Sequence, residues 1–134
     1  MGLRRNRATD ATDDLGIRKK RAAVTLDTSG STTDVSDFIP EGAAVLAIKV
    51  EVTTTVGGTY IDKIGINGDD DMFVSSIGDG NLADDGDIVV TGGNTAGTRA
   101  NFFKRASTLR ITCRATPSAG AVRIVMVYVD AKSL

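Results

Sequence analysis

The residues of this chain with the greatest chemical potential are its charged side chains, because it contains no histidine and a single cysteine. Without histidine the chain cannot build a Ser-His-Asp triad, a Cys-His pair or a histidine-based metal site. A glycosidase-type mechanism needs two carboxylates in one cleft, and the spacing of the 17 acidic residues singles out no such pair. No P-loop or dinucleotide-binding glycine motif is present either. We therefore predict that the protein is not an enzyme and binds no cofactor.

Basic side chains are concentrated at the N-terminal end, in an arm that we place at residues 1–21. The arm has a net charge of +4, whereas residues 22–134 have a net charge of −5. Its basic residues are Arg4, Arg5, Arg7, Arg18, Lys19, Lys20 and Arg21. Such an arm could be a solvated tail, could bind nucleic acid phosphates, or could pair with carboxylates on an acidic protein surface. Because no aromatic side chain is interleaved to stack on bases, we expect a protein partner rather than nucleic acid.

Acidic side chains cluster in a second segment, between residues 69 and 87, which contains no lysine or arginine. Its seven aspartates are Asp69, Asp70, Asp71, Asp79, Asp84, Asp85 and Asp87. Calcium prefers loop oxygens of this kind, but Ala83 falls where an EF-hand-like spacing needs a third ligand. We expect a solvated loop without a bound metal; a calcium site and a contact with a basic partner are the alternatives.

The elements that must position these charges are β-strands, because short stretches of alternating apolar and polar residues recur about every ten residues. Gly, Pro and Asn turn signals separate them. The strongest stretch, residues 43–55, places Leu46, Ile48, Val50 and Val52 on one face. The chain is therefore predicted to be all-β: an antiparallel β-sandwich or jelly roll of about seven to nine strands over residues 22–134, preceded by the extended arm.

Turn signals also predict how neighbouring strands are joined. Gly57-Gly58 predicts a hairpin after the 43–55 strand, and Asn67-Gly68 predicts a second turn. The last two strands, residues 107–115 and 121–130, are likewise expected to form a hairpin. Three outward-facing arginines on these two strands would then lie close together: Arg110, Arg114 and Arg123. This group is either solvated or contacts the acid-rich loop of a neighbouring copy.

The last two strands also predict burial. Cys113 shares one face with Leu109 and Ile111, so we expect it to be a buried thiol that packs as a small apolar side chain. Residues 121–130 are apolar on both faces. A strand of this kind usually lies centrally and covered on both sides, or contributes one face to a subunit interface.

The sequence shows no targeting signal. The N-terminus is basic but lacks the apolar region of a signal peptide, and no stretch approaches the roughly 18–20 apolar residues of a membrane helix. We therefore expect a soluble protein that is made in a reducing compartment and has no membrane partner.

Two segments resemble a pattern found in virion proteins of tailed bacteriophages. In that pattern a strand of the form IP-x-G/A-A-x-V-x-x-I-x-V-x-V-T is followed by a Gly-rich turn, a second strand, an aspartate loop and a closing strand of the form G-x-V-R-I-x-V-x-Y. The matching residues are Ile39, Pro40, Gly42, Val45, Ile48, Val50, Val52, Thr53, Gly120, Val122, Arg123, Ile124, Val127 and Tyr128. The resemblance covers residues 34–130 and consists of strand-forming residues, so it transfers no catalytic residue.

The resemblance implies a small β-sandwich displayed in many copies on a virion, often as a homotrimer. Since the chain carries a basic arm and no fibre-like repeat, the leading hypothesis is a capsid decoration (cement) protein on the head surface, made in the host cytoplasm. Its expected partners are the major capsid protein or other virion proteins, which the arm would contact. A receptor- or glycan-binding module of a tail fibre or spike is the alternative, as is a component of the head-to-tail connector.

Overall fold

The computed structural model describes residues 17–77, 82–91 and 102–131 of the chain, and it is a two-layer β-sandwich. No α-helix occurs in these ranges. The eight strands are β1 (Ile17–Thr25), β2 (Thr32–Ile39), β3 (Ala43–Thr54), β4 (Ile61–Ile66), β5 (Asp69–Val74), β6 (Ile88–Thr91), β7 (Ser107–Cys113) and β8 (Ala121–Asp130).

The strands form two four-stranded antiparallel sheets. The first sheet has the order β1-β8-β3-β6 and the second has the order β2-β7-β4-β5. Successive strands mostly alternate between the sheets, which is the connectivity of a jelly roll. The predicted fold class and the predicted strand number are confirmed.

The core lies between the two sheets, where the inward side chains of both interdigitate. Ile48, Ile124 and Met126 of the first sheet and Ile64 and Ile111 of the second are completely buried. Phe73 and Phe103 also pack in the core, with their ring centroids 6.4 Å apart. Cys113 is buried at the end of β7, as predicted.

The face of Leu46 was predicted wrongly. Ile48, Val50 and Val52 point into the core as expected, but Leu46 is 46% exposed. The register between β3 and β8 shifts between Val45 and Ala47, so β3 carries an extra residue at this point. Such a β-bulge interrupts the simple alternation of faces. Val45 therefore points inward together with Ile48.

Two of the expected hairpins are absent, because the chain crosses between sheets at those turns. The Gly57-Gly58 turn leads from β3 in the first sheet to β4 in the second, and β7 and β8 also belong to different sheets. Asn67-Gly68, in contrast, does close a hairpin between β4 and β5. Gly68 adopts φ 101° there, a conformation that glycine reaches without the cost a side chain would add.

The first strand begins at Ile17 rather than at residue 22, so the expected boundary between arm and domain falls inside β1. Residues Ile17–Thr25 pair continuously with β8, from Ile17 opposite Val129 to Thr25 opposite Ala121. The sequence pattern did not predict this part of the strand, because four consecutive residues here are cations and no apolar residue alternates with them. Long-range pairing with β8 overrides that weak local pattern.

Candidate interaction surfaces

The described residues hold no arrangement that resembles a catalytic or metal centre. No group of three His, Cys, Asp or Glu side chains within the described ranges could hold a metal ion. Burial raises the pKa of the Cys113 thiol to about 11, so the thiolate that a nucleophile requires is scarce at neutral pH. No helix in the described part of the chain is long and apolar enough to cross a membrane. What the structure does offer is charged and apolar surface.

Of the seven predicted arm contacts, Arg4, Arg5 and Arg7 lie outside the described residues, and the other four belong to β1. β1 is an edge strand of the first sheet in the described part of the chain, where β8 is its one neighbour. Side chains alternate along it, so these four cations divide between the two sides of the sheet.

Lys20 and Arg18 lie on the side of the sheet that carries buried Met126. The Lys20 ammonium lies 5.2 Å from the centre of the Phe38 ring and donates to the Asp37 carbonyl at 3.4 Å. These contacts join β1 of one sheet to β2 of the other. Arg18 donates to the Ile17 carbonyl at 3.1 Å. Lys20 therefore has a structural role at this edge that the sequence did not reveal.

Lys19 and Arg21 lie on the opposite, outward side of the first sheet. In the register of β1 with β8 they stand beside Val127 and Val125, and Lys49 of β3 stands on the other side of Val125. Neither Lys19, Arg21 nor Lys49 makes a salt bridge with another residue of the described ranges. Three cations thus flank a column of half-buried valines on which no second layer of the described structure packs.

We call this surface the valine face. It comprises Lys19, Arg21, Ala47, Lys49, Glu51, Ile88, Val90, Arg123, Val125, Val127 and Val129. A shallow depression of about 600 Å³ occupies its centre. Val90 and Ile88, at the β6 side, are 64% and 49% exposed. The double-sided apolar pattern of β8 is therefore covered by the core on one side only.

Arg123 lies on the valine face, but it already has a partner. Its guanidinium donates to the Glu51 carboxylate at 2.9 Å, and Glu51 stands directly opposite in the β3–β8 register. That hydrogen bond, together with the nearby Lys49 charge, lowers the pKa of Glu51. Removal of either partner would leave the other charge alone at one end of the valine column.

The outer face of the second sheet has a different character, because its charges pair with one another. Arg110 donates two hydrogen bonds to Asp34, at 2.8 and 2.9 Å, which holds the pKa of that carboxyl below its usual range. Lys63 lies 3.8 Å from Asp70. This face is polar and internally neutralised, in contrast with the valine face.

The three predicted inter-subunit arginines therefore do not form one cluster. Arg110 belongs to the second sheet and Arg123 to the first, while Arg114 is exposed just after β7. The expectation that a hairpin brings them together is wrong, because β7 and β8 lie in different sheets. Whether any of them contacts a neighbouring copy stays a prediction.

The acidic segment is also divided, and only part of it is loop. Asp69, Asp70 and Asp71 belong to β5, where the hydrogen bond that protonated Asp69 can donate to the Asp71 carboxylate, together with the charge of Asp71, raises the pKa of Asp69. Asp87 accepts hydrogen bonds from the backbone amides of Ala83 and Asp84, at 3.0 and 2.8 Å. Asp87 thus closes the turn before β6.

Asp84 and Asp85 remain exposed on that turn, next to the β6 side of the valine face. Asp79 lies outside the described residues. The acidic segment consequently presents two exposed carboxylates on the turn that leads into β6.

No protein-family model and no curated protein sequence matches this chain. Its fold does match solved structures. A chain in the capsid asymmetric unit of cyanophage Pam1 has a TM-score of 0.61 and 14% sequence identity, over 84% of this chain and 84% of that chain. A chain in the capsid of Ralstonia phage GP4 has a TM-score of 0.58 and 15% identity, over 84% and 83%.

A chain in the acid-stable capsid of Helicobacter pylori bacteriophage KHP30 has a TM-score of 0.50 and 11% identity, over 85% of this chain and 94% of that chain. At identities this low, the likeness concerns the fold. The jelly roll built here by β1–β8 is therefore the fold of chains found in three phage capsid structures.

Proposed function

We propose that this protein is a structural component of a tailed-phage virion and that it decorates the head as a cement protein. The observation that carries the proposal is the extent of the fold match. About the same share of both chains is aligned for Pam1 and for GP4, so in both capsids a chain of about this length has this fold. The protein thus matches a whole capsid chain rather than one domain of a much larger one.

The surfaces support a role in assembly rather than in catalysis or sugar binding. An uncovered apolar face rimmed by cations suits contact with other proteins. All six aromatic side chains lie in described ranges; Phe102 is exposed, and the others are buried or half-buried. The surface therefore lacks the group of aromatic rings on which sugars commonly stack, which disfavours the tail-adhesin alternative.

In this proposal, Arg4, Arg5 and Arg7 of the arm pair with acidic side chains of the major capsid protein. Each copy supplies a modest contact, and many copies together brace the shell by multivalency. Since the contacts of the arm are charge-based, added salt should weaken them.

The test is the location of the protein on intact particles and the effect of its removal. Immunogold labelling with an antibody against residues 69–87 should mark the whole head. Particles from a strain that lacks the gene should release their DNA at a lower temperature, and purified protein added back should restore the original temperature. Label confined to the tail or neck, or no change in heat stability without the protein, would contradict the cement role.

A further inference from the structure

The valine face has two halves that complement each other in charge. The half near β1, which we call the basic half, carries Lys19 and Arg21 beside Val125 and Val127. The half near β6, which we call the acidic half, carries exposed Ile88 and Val90, with Lys49 opposite Val90, and it follows the turn that bears the exposed Asp84 and Asp85. Apart from the Arg123–Glu51 ion pair, which is neutral, the first half carries two cations and the second carries two aspartates and one lysine, so their net charges have opposite sign.

The two halves lie at opposite sides of the sheet, so one copy cannot pair them within itself. β1 and β6 are the two edge strands of the first sheet, with β8 and β3 between them. Neighbouring strands are about 4.8 Å apart, which separates the edges by roughly 14 Å. A second copy can bring the halves together, and the overall charge of −1 leaves little net repulsion between copies.

We infer that the acidic half of one copy binds the basic half of another, so that this protein assembles with itself through the valine face. Asp84 and Asp85 of one copy would pair with Lys19 and Arg21 of the next, while Ile88 and Val90 cover Val125 and Val127. This inference deepens the proposed function, and it rests on that function for the expectation that many copies meet on one shell.

Protection of an exposed strand edge is the simpler explanation of the cations on β1. Charged side chains on edge strands prevent uncontrolled strand pairing. That role explains charges along β1, but it does not explain why uncovered valines stand next to them or why the opposite margin is acidic. The second sheet has edge strands too, and on its outer face the ion pairs of Lys63 with Asp70 and of Arg110 with Asp34 neutralise the charges internally.

Charge-reversal variants of the full chain test the contact, with the mass in solution measured by sedimentation equilibrium and native mass spectrometry. Lys19→Glu/Arg21→Glu and Asp84→Lys/Asp85→Lys should each weaken self-association by at least about tenfold, since like charges then face each other. The four substitutions combined in one chain restore opposite signs and should restore assembly. That recovery separates a lost contact from a damaged fold.

Lys104→Glu/Arg105→Glu is the matched control, because it changes the charge by the same amount at two exposed residues outside the valine face. It should leave the mass unchanged. The inference is overturned if the unmodified chain stays monomeric at high concentration, if the control variant alone dissociates, or if the combined variant fails to assemble while its circular dichroism remains native. A monomeric protein that is still found on phage heads would overturn this inference and leave the proposed function intact. Self-associated protein that is absent from heads would support this inference and contradict the proposed function.

Discussion

Substitution of Gly120 tests whether the start of β8 is held by close packing as well as by backbone conformation. Gly120 directly precedes β8 and adopts φ 145°. Its carbonyl accepts a hydrogen bond from the Leu26 amide at 2.9 Å, which ties the end of β1 to the start of β8. A Cβ atom added at Gly120 would lie 2.8 Å from Leu26 Cδ1 and 3.2 Å from Val56 Cα.

Gly58 provides a control in which an added methyl group meets a backbone cost but no steric cost. It also has a positive φ, of 77°, but a Cβ there would meet nothing within 4 Å. An alanine forced into positive φ costs about 1–3 kcal/mol, and overpacking of a well-filled site costs about 1–3 kcal/mol more. We expect Gly58→Ala to lower the free energy of unfolding by about 1 kcal/mol and Gly120→Ala to lower it by about 3 kcal/mol.

Urea denaturation followed by circular dichroism measures both values, at low protein concentration and high salt so that self-association does not contribute. The slope with denaturant should match that of the unmodified chain, since the surface exposed on unfolding is the same. Equal losses for the two variants would refute the argument, because they would show that Leu26 and Val56 yield to the added methyl group without cost.

Three further outcomes are expected. Truncation of residues 1–16 should change the melting temperature by no more than a few degrees, but it should abolish attachment to heads. Truncation of residues 1–21 should also destabilise the fold, because it shortens β1 and removes the contact of Lys20 with Phe38. Equal stability of the two truncated proteins would contradict the assigned start of β1. Cys113 should resist a disulfide reagent at pH 8 in the folded protein, because its pKa is raised to about 11, and should react fully in urea; fast reaction without urea would show that it is accessible. Asp69→Asn should raise the melting temperature at pH 7 but not at pH 3. Because Asp71 raises the pKa of Asp69 in the folded state, this group stabilises the fold at a pH below the ordinary pKa of aspartate. That stability is lost as the pH rises through the raised pKa of the folded state. A larger rise in melting temperature at pH 3 than at pH 7 would contradict a raised pKa of Asp69.

Much of the fold could be predicted from local pattern, because a half-buried strand alternates in a way that its own residues display. β3 was expected at residues 43–55 and spans Ala43–Thr54, and the inward set of β7, with Leu109, Ile111 and Cys113, is buried. Alternation gives the existence and the faces of a strand. It does not give the partner of that strand.

The incorrect predictions all concern which strand pairs with which, and in what register. The bulge that exposes Leu46 depends on the register of β3 against β8, and the glycines at 57 and 58 turn the chain equally well into a hairpin or across to the other sheet. β1 was placed too late because its register with β8, not its own pattern, makes residues 17–21 a strand. For the same reason the valine face was not foreseeable, since it combines side chains from β1, β8, β3 and β6.

The pairing of the first strand with the last has a consequence for the synthesis of the protein. β1 ends at Thr25 and its partner β8 begins at Ala121, so the first sheet cannot close until β8 has been made. At about 5–20 residues per second, β1 waits roughly 5–20 seconds on the ribosome for β8. During that time the cations from Arg18 to Arg21 keep the nascent strand hydrated and repel identical strands on neighbouring ribosomes of the same messenger RNA. The first strand thus carries protection against aggregation before the protein is folded.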